Sequence, residues 1–278
     1  MSITLTTLTS LGGIQEVILA DAIALFNTIP TLLGAFKTKA AVGQESTVRF
    51  FTQAVPSAAS AHDESSELTI SALTLTAKDA AIAGYPIVIR GTLLSLDGDG
   101  AMEAVSDALG AGLARTIDTA ICALAANITT ITGNNDSGVV TIDDFMFAVS
   151  ELRTTGYNGR LVAVLHPVTI AHLGLAITAE GGQIGVGDAY MRTGHIATLG
   201  GVEIYQSPWV YTNGNAAYNI IAYDHAIGVG YKEPWMQIDT GLVANYASRD
   251  ILGIAMFKAI EVTDGAACVL YDNISSAA

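Results

Sequence analysis

97-DGDGAMEAVSDALGAGLARTIDTAICALAAN-127 is the stretch around which the rest of the chain can be ordered. Asp97 or Asp99 supplies an N-cap, whose oxygens accept from the first free N–H groups of a helix. Met102, Val105, Leu109, Leu113, Ile117, Ala120 and Leu124 follow at steps of three or four and form one apolar stripe. Glu103, Asp107, Arg115, Asp118 and Thr119 take the opposite side. Ile128–Thr132 is β-branched throughout, which disfavours helix and lets the chain leave. The spacing therefore predicts a helix of roughly 26 residues, about 39 Å long, at least twice the globular average. Ala104, Ala108, Gly110, Ala111, Gly112 and Ala114 flank the stripe, so other backbone can approach closely. Taken alone, this is the long core helix of an α+β domain.

Downstream, Thr141 and Asp144 form a Ser/Thr-x-x-acid cap. Ile142, Phe145, Met146, Val149 and Leu152 line one face of a second helix, and Gly156–Gly159 ends it. Leu161–Leu165 is a short apolar strand, and His166-Pro167 opens a helix running to about Leu175. Residues 178–187 read as a glycine-rich loop. His195–Leu199, Gly200-Gly201 and Val202–Tyr205 give a hairpin. Ala217–Gly230 is strand-like, Ile251–Thr263 is a long strand, and Asp264-Gly265 turns into a closing strand, Ala266–Tyr271.

Upstream, residues 1–14 read as an extended arm and Ile14–Phe26 as a short helix stopped by Pro30. Thr47–Ala54 is a strand, followed by the polar turn-like run PSAASAHDESSE. Leu68–Ala77 alternates with a phase flip between Ala72 and Leu73, as a β-bulge would cause, and Pro86–Arg90 returns as another strand. Strands this poor in bulky apolar residues bury no core of their own and need something to lie on.

Of the 278 residues, 51% are hydrophobic and only 14% charged, against about a quarter in ordinary soluble chains. So little polar surface points to burial against other subunits. Apolar runs are broken before the ~18 residues of a membrane span, and MSITLTTLTS lacks the features of a secretory signal. Cys122 and Cys268 fit a reducing compartment. The net charge of −14, with Lys37 and Lys39 the only close lysine pair, excludes a DNA-gripping module. It does not exclude a wall around DNA.

No catalytic, cofactor-binding or metal-binding set emerges. His62, His166, His172, His195 and His225 lack the spacing of a zinc helix. Asp97/Asp99 and Asp143-Asp144 sit where helix N-termini want negative charge. Gly182-x-x-Gly185-x-Gly187 lacks the preceding strand and following Lys of a phosphate loop, and no Gly-x-Ser-x-Gly elbow occurs. Asn127, Asn135 and Asn273 match the glycosylation pattern by chance. Tyr205, Trp209, Tyr211, Tyr218, Tyr223, Tyr231 and Trp235 form an aromatic group that reads either as core or as an intersubunit contact.

The element order, with ELRTTGYNGRLVAVLHPVTIAHL (151–173), LGGVEIYQSP (199–208) and ILGIAMFKAIEVTDGAACVLYDN (251–273), resembles the HK97-type major capsid protein of tailed bacteriophages. The resemblance covers nearly the whole chain and implies an α+β fold with four parts. These are an N-terminal arm (1–43), an extended two-stranded loop (44–92), a peripheral domain with a long spine helix (93–157 and 235–263) and a central, axial domain (158–234 and 264–278). It implies spine packing through Met102, Val105, Leu109, Leu113, Ile117 and Leu124, intersubunit loop contacts through Arg49, Phe51, Leu73, Leu75 and Lys78, and a central aromatic cluster of Tyr205, Trp209, Tyr211 and Trp235. Some members of the family lock subunits through a Lys–Asn bond, for which Lys78 is the only lysine in the loop. The implied partners are further copies in hexamers and pentamers, a portal, a scaffold and cement proteins, with DNA enclosed but not read and no membrane. The chain starts at Met1 without a helical acidic prefix, which leads to the expectation of an uncleaved subunit with a separate scaffold. An encapsulin compartment shares this fold, and a cytosolic α+β enzyme with a site in the 178–190 loop is the reading from another class.

Overall fold

The structure is a computed structural model that describes residues 19–24, 32–43, 45–52, 55, 76–92, 101–132, 138–179, 195–243 and 248–276. The long helix α1 spans Ala101–Cys122 and tightens into a 3-10 turn, Ala123–Ala126. Val105, Leu109, Leu113 and Ile117 are buried as the stripe predicts. Beyond them burial passes to Ile121 and Ala125, while Ala120 and Leu124 are only half-buried. The cause is geometric: successive i+4 steps slant across the helix, so a straight face drifts off the contact line. The second slanted row is Ser106, Gly110, Ala114, Asp118 and Cys122, all buried. Asp118 therefore does not lie on the solvated side, where its place opposite the stripe had put it. The side chain of Met102 and the N-cap candidates Asp97 and Asp99 lie outside the described residues.

Under α1 lies a first sheet in the order β1 (Lys37–Ala40), β11 (Ile227–Val243), β12 (Ser248–Glu261), β4 (Ala83–Thr92). β1 runs parallel to β11 and the other pairs are antiparallel. The segment PIVIR is thus the middle of an edge strand of this sheet rather than part of the loop. An edge tolerates Pro86 because its missing N–H faces no partner. Gly112 lets α1 approach β4 closely: a Cβ there would meet Ile87 Cγ2 at 3.3 Å.

The second sheet runs β5 (Ile131–Thr132), β13 (Ala267–Asn273), β10 (Ala216–Tyr223), β6 (Leu161–Leu165), β8 (Val202–Gln206), β7 (His195–Leu199), with β9 (Thr212–Asn213) also on β10. The β7–β8 turn has positive φ at both Gly200 (59°) and Gly201 (81°), which suits a tight hairpin. Helices α2 (Ile142–Thr154) and α3 (Pro167–Ala179) pack together, and α2 also lies against β13 and β10. The Thr141–Asp144 capping box is present in both directions. Phe145, Ala148, Val149 and Leu152 are its buried face; Met146, expected there, is exposed because it sits beside Gly200 at the rim. α2 belongs with this second sheet, not with the long helix.

The strand expected over Ala217–Gly230 is broken. After Tyr223 the chain turns through residues 224–226 and enters the other sheet as β11. β12 makes the return crossing through residues 262–266 into β13, which pairs with β10. The crossings are stitched together by Val262 N–H to Ala226 O (2.7 Å) and Tyr223 N–H to Ala266 O (3.0 Å). One continuous apolar core runs through both sheets.

Candidate functional site

The first sheet has two different faces. Toward α1 it presents Tyr85, Ile87, Ile89, Ile251, Ala255 and Phe257, with Tyr85 stacked on Phe257 at 4.6 Å. The opposite face carries Val88 paired with Leu252, Pro86 with Ile254 and Gly84 with Met256. Val88 is 59% exposed and the three β12 residues are half-exposed. Arg90 and Asp250 close this apolar strip at one end through a two-point ion pair at 2.6 and 2.7 Å.

At its other end the same face is covered by the chain's own loop base. β2 (Thr47–Phe51) pairs antiparallel with β3 (Ala77–Ala81). Val48, Phe50 and Ala80 form a small core with Val262. Their backbone contact depends on glycines: a Cβ on Gly228 would stand 2.8 Å from the Phe50 ring, and one on Gly230 would stand 3.0 Å from Val48. Strand glycines of this kind mark a close approach. The loop does need something to lie on, and its base lies on its own β11.

Of the residues expected to make contacts between subunits, Arg49 is held in a cross-strand pair with Asp79 at 2.8 Å, which depresses the Asp79 carboxyl below its usual range. Lys78 donates to Asp264, at the turn into β13. Phe51 is 55% exposed, and Leu73 and Leu75 lie outside the described residues. Of the four aromatic residues expected as one central cluster, the three whose side chains are described make separate contacts. Tyr211 joins an edge-to-face chain with Tyr218 and Tyr271, whereas Trp209 lies beneath the Arg115 guanidinium of α1 at 4.0 Å. Tyr205 is buried next to Glu203, and the Trp235 side chain lies outside the described residues.

The polar centre of the second sheet was not anticipated. Asp272 is fully buried and accepts from Val140 N–H (3.0 Å), Thr169 Oγ (2.6 Å) and His172 Nδ1 (3.0 Å). A carboxylate only accepts, so His172 carries its proton on Nδ1. Asn219 extends the network, donating to Thr169 Oγ (3.2 Å) and Leu270 O (3.1 Å) and accepting from His166 N–H (2.7 Å). An acid inside the apolar run ACVLYDN was the available signal. Burial pushes the His166 imidazole below its usual value. The network fixes α3, β10, β13 and the start of α2 to one another. No group of three His, Cys, Asp or Glu able to hold a metal occurs among the described residues. Among the described residues Glu103–Ala126 would pass for a membrane span by length and mean hydropathy, but half of its most apolar window is buried in the protein, as for a core helix.

A long helix on one face of a sheet and a half-exposed apolar strip on the other suit packing against further copies of the chain. A family model described as phage capsid protein matches residues 88–267. The chain belongs to this family of phage capsid proteins. None of the curated proteins is similar enough in sequence to match this capsid protein. Among solved structures, one from Gordonia phage Cozz is similar with a TM-score of 0.63 at 15% identity, covering 87% of this chain and 86% of the other. The capsid of cyanophage P-SCSP1u gives 0.58 at 15% identity, over 85% and 86%. The SrpI encapsulin of Synechococcus elongatus PCC 7942 gives 0.56 at 14% identity, over 72% and 76%. The capsid protein thus has the HK97-like fold, and its role is that of a major shell protein.

Proposed function

We propose that this capsid protein builds an icosahedral shell, from hexamers and pentamers of itself, around a double-stranded DNA phage genome. The observation that carries the reading is the membership of the phage capsid family, over a stretch that includes Val88, Leu252, Ile254 and Met256 of the half-exposed apolar strip. A neighbouring copy would cover that strip, and the exposed Phe51 at the end of β2 would add to the contact. A net charge of −14 suits a wall that encloses DNA without gripping it. A portal, a scaffold and cement proteins are the further partners.

The proposed peripheral unit is α1 with the first sheet, and the central unit is the second sheet with α2 and α3. This places β4 with the periphery and α2 with the centre. Lys78 is committed to Asp264 within its own subunit, which does not favour a covalent lock through it.

Negative-stain microscopy and light scattering of the purified protein, made with its scaffold, test the proposal. Megadalton shells are expected, whereas a stable small oligomer under all assembly conditions would overturn it. The encapsulin likeness supports a second reading, a protein compartment. Shells from the native source that contain an enzyme and no nucleic acid would favour it.

A further inference from the structure

Asp118 is the point at which the N-terminal side of the chain is tied to the long helix. Its Oδ1 accepts from the backbone N–H of Leu32 at 2.9 Å, and the residue is only 9% exposed. Leu32 opens a 3-10 turn, Leu32–Gly34, and Leu32, Ala35 and Phe36 are all buried. On the carbonyl side of this segment, Arg160 Nη2 donates to Gly34 O (2.9 Å) and Ala35 O (3.2 Å), while its Nη1 donates to Glu203 (2.9 Å). β1 follows directly at Lys37.

The two anchors differ in one respect. Arg160 is charge-balanced by Glu203, whereas among the described residues no cation faces Asp118. On its own helix Arg115, a turn earlier, lies over Trp209, and Cys122, a turn later, bonds Ser207 Oγ. The Cys122 thiol is pushed up to about 12 by burial and by the Asp118 carboxylate. The 3-10 turn contributes Leu32 and Leu33, and the helix side of the first sheet contributes Ile87, Ile89, Ile251, Ala255 and Phe257. None of these is charged.

We propose that Asp118 is a pH-dependent latch, which holds the Leu32–Phe36 segment on the long helix while its carboxyl is protonated and loosens it as the carboxyl ionises. A charge in this position exchanges water for one amide donor, and releasing the segment restores the water. Burial raises the carboxyl to about 7. In the released segment it returns to the ordinary value near 4. A group with the higher pKa in the closed state favours closure fully below the lower value. The closing constant then falls about tenfold per pH unit up to the higher value and is flat above it. Because the segment leads into the edge strand β1, its release also loosens the border of the first sheet.

Hydrogen exchange on the full-length, unassembled subunit tests the latch. Protection of the Leu32–Phe36 amides, corrected for intrinsic exchange, should fall by about a hundredfold between pH 5 and pH 8. Protection of Val269 and Leu270 in β13 should not follow it. In Asp118→Asn, which keeps an acceptor oxygen but cannot ionise, protection at 32–36 should be independent of pH. A flat profile in the unsubstituted protein, or an unchanged fall in the Asn variant, overturns the proposal. Should the Asn variant fail to fold, carbon-13 titration of the Asp118 carboxyl decides the matter: a midpoint near 7 supports the latch and one near 4 removes it.

Discussion

Along β12 every second residue from Ile251 to Ala259 is buried, whereas β6 is buried at all five positions and β13 at six of its seven. The first sheet is covered on one side by α1 and keeps an apolar strip on the other. The second is enclosed on both sides and holds a satisfied polar network at its centre. Alternation leaves one face of a sheet free, and here that face carries an apolar strip, whereas strands buried at every position leave no such face. The difference identifies the second sheet as the part that gives the subunit its own stability. On the proposed reading, the first sheet is the part whose burial assembly would finish.

Four substitutions probe this contrast, in falling order of effect on the isolated subunit. Leu113→Asp places an unpaired charge on the fully buried face of α1 and should cost about 4 kcal/mol or more, read as loss of soluble yield. Asp272→Ala leaves the Val140 N–H, Thr169 and His172 without their acceptor and should cost about 3 kcal/mol in urea unfolding. An Asp272 variant as stable as the parent would show that the polar centre is not what completes the second sheet. Gly228→Val drives a side chain into Phe50 and Val262 and should cost about 1–3 kcal/mol. It should also free the loop base, seen as faster proteolysis between β2 and β3. Val88→Glu should change subunit stability by less than about 0.5 kcal/mol, since the residue is largely exposed, yet prevent shells from forming. Intact shells from Val88→Glu would break the contrast at its central point.

The period of the sequence carried most of the second sheet and the helices. LVAVL, the Thr141–Asp144 cap and the Gly200-Gly201 turn were legible because each is decided by its neighbours in sequence. The first sheet was less legible because its members are far apart. Nothing in PIVIR states that its partner lies in 248–257, so it read as part of the loop. The break at residues 224–226 was hidden because AAYNIIAY and IGVGY are both apolar and β-prone on either side of it. Asp118 was misplaced because a straight stripe drawn in steps of three and four ignores the slant of the contact line. The glycines of GVG and the acid of LYDN were visible anomalies whose partners, Phe50 and His172, only the fold supplies.

The double crossing at residues 224–226 and 262–266 has a mechanical consequence. The two sheets are joined there by a ribbon of two antiparallel strands, bonded across the junction, rather than by single strings of chain. Tension applied along β11 and β12 while the second sheet is held would load those hydrogen bonds side by side, in shear, instead of one after another. A ribbon of that kind resists stretching but bends and twists readily about its long axis. Internal pressure on a wall made of such subunits would therefore be met by stiffness in the plane of the wall and by compliance in its curvature.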